Sequence, residues 1–278
     1  MLNNVKHKIS FGQLILVGCA LILFIITFLP FYLMVVSSIK YQMQIIDQPW
    51  WFSLPFHFSN YVKAFGALWR PIINSFIVTI IGLVITETAA SMAAYSFARY
   101  EFPLKNIIFF LILMLLMIPG FVILIPQFIQ MTRMGFFKTY LGLAIPPGVH
   151  MCPLAFILMR SFFIGIPGSL FENAQIEGAN NWMIFTKIVV PLSKPVLSTV
   201  AILAGFTIWN NYVWSLVISQ GDKVQPVIVA IAKLKGNINE GDGLKLAGYV
   251  IASLPLVILF FFMTKPFISG ITAGAVKG

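Results

Sequence analysis

LILVGCALILFIITFLPFYLMVV, residues 14–36, decides the fold class. It contains no Asp, Glu, Lys or Arg, and none occurs between Lys8 and Lys40. A helix needs about 20 apolar residues to cross the hydrocarbon core of a bilayer, and this run is longer. Its apolar residues are continuous, without the alternation that marks the strands of a membrane barrel. In hydrocarbon every backbone N–H and C=O must be paired within the segment, so the run reads as a helix.

The rest of the chain repeats this pattern. Four more windows hold no charged side chain: Lys105 to Arg133, Lys138 to Arg160, Lys194 to Asp222 and Lys245 to Lys265. A further window, Arg70 to Arg99, holds only Glu87. Six transmembrane helices are expected, near 12–36, 71–97, 105–127, 140–162, 195–218 and 246–265. Together they form one all-α, polytopic membrane domain over 1–278. The chain is 59% hydrophobic and 9% charged, with a mean hydropathy of +0.95. A soluble domain of this size needs more charge to cover its surface. Lys6 and Lys8 precede the first run as in a signal peptide. The run is too long for a signal core and no small-residue cleavage site stands out, so a retained first span is expected.

The net charge is +10. The basic residues are scattered singly over every loop and form no stripe, which argues against a nucleic-acid partner. Contact with anionic lipid head groups accounts for them. With the N-terminus inside, nine Lys/Arg fall on each side, so the positive-inside rule does not choose an orientation. Cys19 and Cys152 both fall in apolar spans and read as small buried hydrophobes, with no disulfide and no metal pair.

The third span carries Pro119, Gly120 and Pro126, and the fourth Pro146, Pro147 and Pro153. Proline removes a backbone donor and kinks a helix. These residues either open the centre of the bundle for rocking or only set its shape. Between the first two spans, Pro49, Trp50, Trp51, Pro55 and Tyr61 suit a membrane-interface belt, with a short interfacial helix beside the bilayer. The loop at 219–245 is either a surface that touches something outside the membrane or a plain connector.

The chain's most polar structured stretch is SLFENAQIEGANNWMIFTKIVVPLSKP, residues 169–195. Ser169 lies three residues before Glu172, the arrangement of a capping box. Gly178 suits a C-terminal stop. A second helix is expected from Asn180 or Asn181, with Trp182, Phe185, Ile188 and Val189 on an apolar face. Such a helix–turn–helix is too short to be stable alone in water and needs a surface to lie on. Ala174 and Gly178, four apart, offer a partner close approach to the backbone.

This loop, with Glu172, Ala174, Gly178, Ala179, Phe185, Ile188 and Pro191, resembles the signature loop of permease subunits of ABC importers. FSNYVKAF (58–65) and Tyr95-x-Phe97-Ala98-Arg99 followed by Phe102-Pro103 resemble segments of sugar-importer permeases. KPFISGITAGAVKG (265–278) resembles the C-terminus of the maltose-type members. The resemblance implies a cytoplasmic coupling loop over 164–194 whose 169–180 helix docks on an ATPase subunit through Glu172, Ala174, Glu177, Gly178 and Ala179. The sequence departs from the family at Asn173, where Ala is usual, and at Glu177, where Asp is usual. Also implied are a second, different permease subunit, two ATP-binding subunits and an extracytoplasmic solute-binding protein. Both termini are then cytoplasmic, in a multi-pass protein of the cytoplasmic membrane. The substrate implied is a carbohydrate, an oligosaccharide above all. A glycerol-phosphate-like or other small solute is the alternative.

Span five contains FTIWNNYVWS, residues 206–215. Thr207, Asn210 or Asn211, and Trp214 recur at helical spacing and share one face. Their amides, hydroxyl and indole suit sugar hydroxyls and rings, and the resemblance places a Trp-Asn pair here on the translocation path. The same residue types also bond membrane helices to one another. Glu87, flanked by Thr86 and Thr88, is an intramembrane carboxylate without an assigned role. His150 has no second ligand at helical spacing and reads as a packed or bonded histidine rather than a metal ligand.

No Gly-x-x-x-x-Gly-Lys-Ser/Thr motif is present, so no cofactor is expected on this chain and ATP–Mg is expected on the partner ATPase. No nucleophile with its base and no His-Glu-x-x-His spacing points to catalysis. An ion-coupled secondary transporter would carry inverted repeats and several intramembrane charges. One lone Glu87 does not fit that class.

Overall fold

The computed structural model describes the backbone of residues 11–221, 223–234 and 241–275, and side chains as far as residue 261. Helices α1 (Phe11–Ser38), α2 (Gln42–Asp47), α3 (Ser59–Arg99), α4 (Lys105–Leu115), α5 (Gly120–Arg133) and α6 (Tyr140–Ile164) come first. Then follow α7 (Gly168–Ile176), α8 (Asn181–Ile184), a π-turn (Phe185–Val189) and α9 (Val190–Leu192). The chain continues with α10 (Lys194–Trp209), α11 (Tyr212–Ile218), α12 (Val227–Lys233) and α13 (Gly241–Ala275). Among the described residues there is no strand. Among the described residues, four helices are long and apolar enough to cross a membrane, and up to six spans result if each bent pair counts as one.

The described residues form two compact units, within 1–67 and 234–251 and within 68–233 and 252–278. In the first, α1 exposes its apolar side chains along its length, so it requires a hydrocarbon or protein cover. Cys19 is free and lies on this exposed face. The far end of α1 is knotted instead. Asn60 donates to the carbonyls of Ser38 at 2.9 Å and Lys40 at 3.0 Å. Lys40 is fully buried and its Nζ donates to the Gln48 carbonyl at 2.6 Å. Burial pushes the Lys40 pKa down, because desolvation penalises the ammonium. The Asp242 amide donates to Gln42 Oε1 at 2.8 Å.

In the second unit, α3 and α6 touch backbone to backbone. A Cβ on Gly148 would lie 2.8 Å from the Gly82 carbonyl oxygen, so only glycine fits this crossing. Thr86 Oγ1 donates to the Gly148 carbonyl at 2.8 Å and to Gly82 at 2.9 Å. Small residues and interhelical hydroxyl bonds are what membrane helices use to associate. Asn74 on α3 donates to the carbonyl of Gln225 at 3.0 Å and accepts from Tyr140 Oη at 2.7 Å.

Several elements differ from the expectation. The segment from Ser59 is no separate interfacial helix: it runs unbroken through Pro71 into the second span, 41 residues in all. The third span is two helices, α4 and α5, bent by 97°. Pro119 is the cause, since its ring clashes with the preceding turn. By contrast, Pro146, Pro147 and Pro153 lie inside the uninterrupted α6. The fifth span stops at Trp209 and resumes at Tyr212. Helix α13 extends through most of the Gly-rich tail, to Ala275. Residues 235–240, the polar centre of the last loop, and 276–278, the end of the tail, lie outside the described residues.

Candidate functional site

The polar stretch at 169–195 forms an elbow. Helix α7 starts one residue earlier than expected, with Pro167 at the N-cap and no side-chain cap. Ser169 is therefore inside the first turn and the capping box does not form. Gly178 has φ +87°, a left-handed conformation that only glycine adopts without strain, and the chain turns there. Asn180 then caps α8, its Oδ1 accepting from the Met183 amide at 2.8 Å. A π-turn follows, and a 76° bend at Ser193 leads into α10.

The elbow lies on its own chain's core. Phe171 and Ala174 of α7 and Ile184, Phe185 and Val189 beyond it are buried with Tyr95 and Phe97 of α3, Met159 and Phe163 of α6, and Val196 and Val200 of α10. Burying a Phe contributes about 1.5–3 kcal/mol, so Phe171 is a principal anchor. Ala174 is 7% exposed, so the close approach expected at this residue is taken by the core. Outward lie Glu172 and Ile176 of α7, the latter 84% exposed, and Glu177 and Gly178 just past its end, both exposed. Ala179 is half-buried and its amide donates to the Ala174 carbonyl at 2.9 Å.

Arg99, the last residue of α3, lies with its guanidinium 3.0 Å from the Phe171 ring centroid. The Glu172 carboxylate acts on the same charge. Arg160 near the end of α6 stacks on Phe109 of α4 at 4.5 Å.

At the other end of α6 and α10 is a cavity of about 360 Å³. Thr207, Asn210, Asn211 and Trp214 all line it, although they do not share one continuous helix. Asn210 donates through Nδ2 to the Phe206 carbonyl at 3.0 Å, and Asn211 caps α11, its Oδ1 accepting from the Trp214 amide at 3.4 Å. The two amides bond to nearby backbone, and this competition breaks the span. Trp214 is 4% exposed and is a tie rather than an open platform. Its Nε1 donates to the Gly142 carbonyl at 3.0 Å. That carbonyl lacks its usual helical donor, because residue 146 is proline.

Sequence reasoning missed Gln127, Tyr212 and the exposed face of His150, which also line the cavity. His150 is exposed, not packed. The signal was present: His150 stands one turn from the Pro146–Pro147 pair on α6. Among the described residues no cluster of His, Cys, Asp and Glu could hold a metal. Glu87 is half-buried, its Oε1 buried without a hydrogen-bond partner. Its neighbours Thr86 and Thr88 donate to backbone carbonyls instead.

Residues 87–273 match the model of the binding-protein-dependent transport system inner membrane component family. The chain is 34% identical to the arabinooligosaccharides transport system permease protein AraQ of Halalkalibacterium halodurans, over 79% of each chain. It is 33% identical to the melibiose/raffinose/stachyose import permease protein MelC of Bacillus subtilis, over 90% of this chain and 92% of that one. The backbone is similar, with a TM-score of 0.80 and 23% identity, to a chain from the crystal structure of a bacterial ABC transporter involved in the import of the acidic polysaccharide alginate. The match covers 94% of this chain and all of that one. At that identity the likeness speaks to the fold.

Proposed function

We propose that this chain, which belongs to the family of binding-protein-dependent transport system inner membrane components, passes an oligosaccharide through the cytoplasmic membrane as the permease subunit of an ABC importer. The carbohydrate relatives support the substrate class. Two ATP-binding subunits supply the hydrolysis, a second permease completes the path, and an extracytoplasmic binding protein delivers the sugar. Both termini and the elbow face the cytoplasm in this arrangement.

The observation that carries the reading is continuity. Helix α10 begins at the elbow's end, at Lys194, and finishes in the cavity wall, at Thr207 and Asn210. Its 16 residues span about 24 Å at 1.5 Å per residue. The Glu172–Ala179 turn, docked in an ATPase cleft, would move when the ATPases close on nucleotide. Phe171 and Ala174 pass that movement to the ends of α3, α6 and α10, and α10 carries it to the cavity. Thr207, Asn210 and Asn211 contact the sugar hydroxyls there, while Trp214 fixes the wall.

Reconstitution of the chain with its second permease, ATPase subunits and binding protein tests this. Uptake of a labelled neutral oligosaccharide should require ATP and binding protein together. Uptake driven by a proton or sodium gradient without ATP would overturn it.

A further inference from the structure

A second cavity, of about 300 Å³, opens between the end of α3 and the elbow. Tyr95, Ser96 and Tyr100 line it from the α3 side, and Asn181, Trp182 and Phe185 from the elbow. No Asp, Glu, Lys or Arg is in its lining, and it shares no residue with the cavity at Thr207 and Asn210. We propose, building on the reading of a carbohydrate importer whose elbow faces the cytoplasm, that this cavity binds the ring of an imported sugar and thereby slows the transporter. It is then a cytoplasmic feedback site, separate from the translocation cavity.

Four aromatic rings cross the cavity as one chain. Tyr100 lies 5.9 Å from Tyr95, Tyr95 5.3 Å from Phe185, and Phe185 5.7 Å from Trp182, between ring centroids. Tyr95 and Phe185 are buried and form the floor, while Trp182 is 61% and Tyr100 38% exposed. One open ring therefore stands on each side of the joint. Successive planes are inclined by 84°, 42° and 38°. A flat heterocycle would need parallel faces to be sandwiched. The curved floor suits a puckered ring, whose C–H groups rest on the aromatic faces. The polar groups at the rim are unused. Trp182 Nε1 and the Asn181 carboxamide make no hydrogen bond among the described residues, and Asn180 rather than Asn181 caps α8. Ser96 Oγ donates to the Met92 carbonyl at 3.0 Å and keeps its lone pairs. An indole N–H donates, a carboxamide does both, and a hydroxyl oxygen accepts. A lipid chain or a methylated ammonium would use none of these groups, and sugar hydroxyls use all three.

The position of the cavity supplies its effect. It straddles the joint at which the elbow meets α3, and the coupling reading has the elbow pass its movement to α3 there. A sugar that touches Tyr100 and Trp182 together fits only the arrangement in which both line one space. A ligand shifts an equilibrium by its differential affinity for the two states. The bound sugar therefore holds the elbow in the observed position and opposes the movement that nucleotide drives. The volume is at the small end for ligand sites and takes roughly one or two sugar rings. Binding is then weak, with a dissociation constant of about 1 mM, so the site responds to accumulated sugar and not to traces.

The test is ATP hydrolysis by the purified importer in nanodiscs, both permeases with the ATPase subunits, stimulated by sugar-loaded binding protein. Raffinose, arabinotriose and maltotriose are each tried as the load. The sugar that stimulates is then added beyond saturation of the binding protein, to about 10 mM, about tenfold above the expected dissociation constant. The excess should lower stimulated hydrolysis at least about threefold. Trp182→Ala and Asn181→Leu should each raise the half-inhibitory concentration at least about tenfold, with stimulation by loaded binding protein within about twofold of wild type. Absence of inhibition in wild type overturns the proposal. Inhibition that both variants leave unchanged assigns the effect to the translocation cavity and also overturns it, as does inhibition by tetramethylammonium in place of the sugar. If none of the three sugars stimulates wild type through its binding protein, the carbohydrate reading fails, and this inference falls with it.

Discussion

The guanidinium of Arg99 lies 3.0 Å from the centre of the Phe171 ring, so one side-chain pair joins the end of α3 to the first turn of the elbow helix. The ring is also packed in the core beneath the elbow. The pair therefore does two things: it seats α7, and it gives a movement of α7 a direct hold on α3.

Phe171→Ala should unseat the elbow. Removing a buried Phe costs about 3–5 kcal/mol, and part of that appears as a lower melting temperature of the purified assembly. Phe171→Leu should recover most of the stability. Arg99→Met keeps the aliphatic stem but loses the cation–π contact, worth about 0.5–2 kcal/mol. Its effect should therefore be smaller than that of Phe171→Ala. Equal melting temperatures for wild type and Phe171→Ala would contradict the packing.

Trp214→Phe separates a wall-fixing role from a sugar platform. It keeps the aromatic bulk but leaves the Gly142 carbonyl without a donor, at a cost of about 1–3 kcal/mol. The expected result is a lower melting temperature with an unchanged KM for uptake. A raised KM with unchanged stability would assign Trp214 to the sugar.

Gly178→Ala forces a β-carbon onto a φ of +87°, which costs about 1–2 kcal/mol. Nothing lies within 4 Å of the new atom, so sterics with neighbours do not enter. The turn should loosen, and ATP hydrolysis should lose its stimulation by loaded binding protein while basal hydrolysis persists. Full stimulation in Gly178→Ala would show that the turn's shape is not needed.

Lys40 gives a pH dependence. Its pKa is lowered by burial, so between the lowered and ordinary values the unfolded chain holds the proton more strongly. Stability then rises with pH through that window, and the desolvation cost is present in full below it. The melting temperature of wild type minus that of Lys40→Met should therefore climb as pH approaches about 10. A flat or falling difference would contradict the buried ammonium.

The membrane-spanning class was legible in the sequence because apolar runs such as 14–36 leave the backbone no alternative to helix. The elbow's turn was legible at Gly178 and Asn180, since positive φ and N-caps are local chemistry. Its inward face was not. Ala174 looks the same in sequence whether it meets a partner or its own core, and only Phe163, Phe171 and Val196 packed around one centre decide it. The break at Pro119 follows from its ring and missing N–H, and the break at Asn210 from the Asn210 and Asn211 amides that bond to nearby backbone. Pro146 causes no break because an indole 68 residues further along supplies the missing bond to Gly142, a long-range compensation that local pattern cannot reveal.

Ile176, the outward residue of α7, provides the most direct test of coupling. In a background with Cys19 and Cys152 replaced by Ser, Ile176→Cys is paired with single cysteines in the ATPase cleft of the assembled transporter. The account predicts a disulfide to the ATPase subunit whose yield changes when ATP binds, and none from Ala174→Cys. Labelling of Ile176→Cys by a membrane-impermeant maleimide added outside intact cells, with no disulfide to the ATPase, would contradict it.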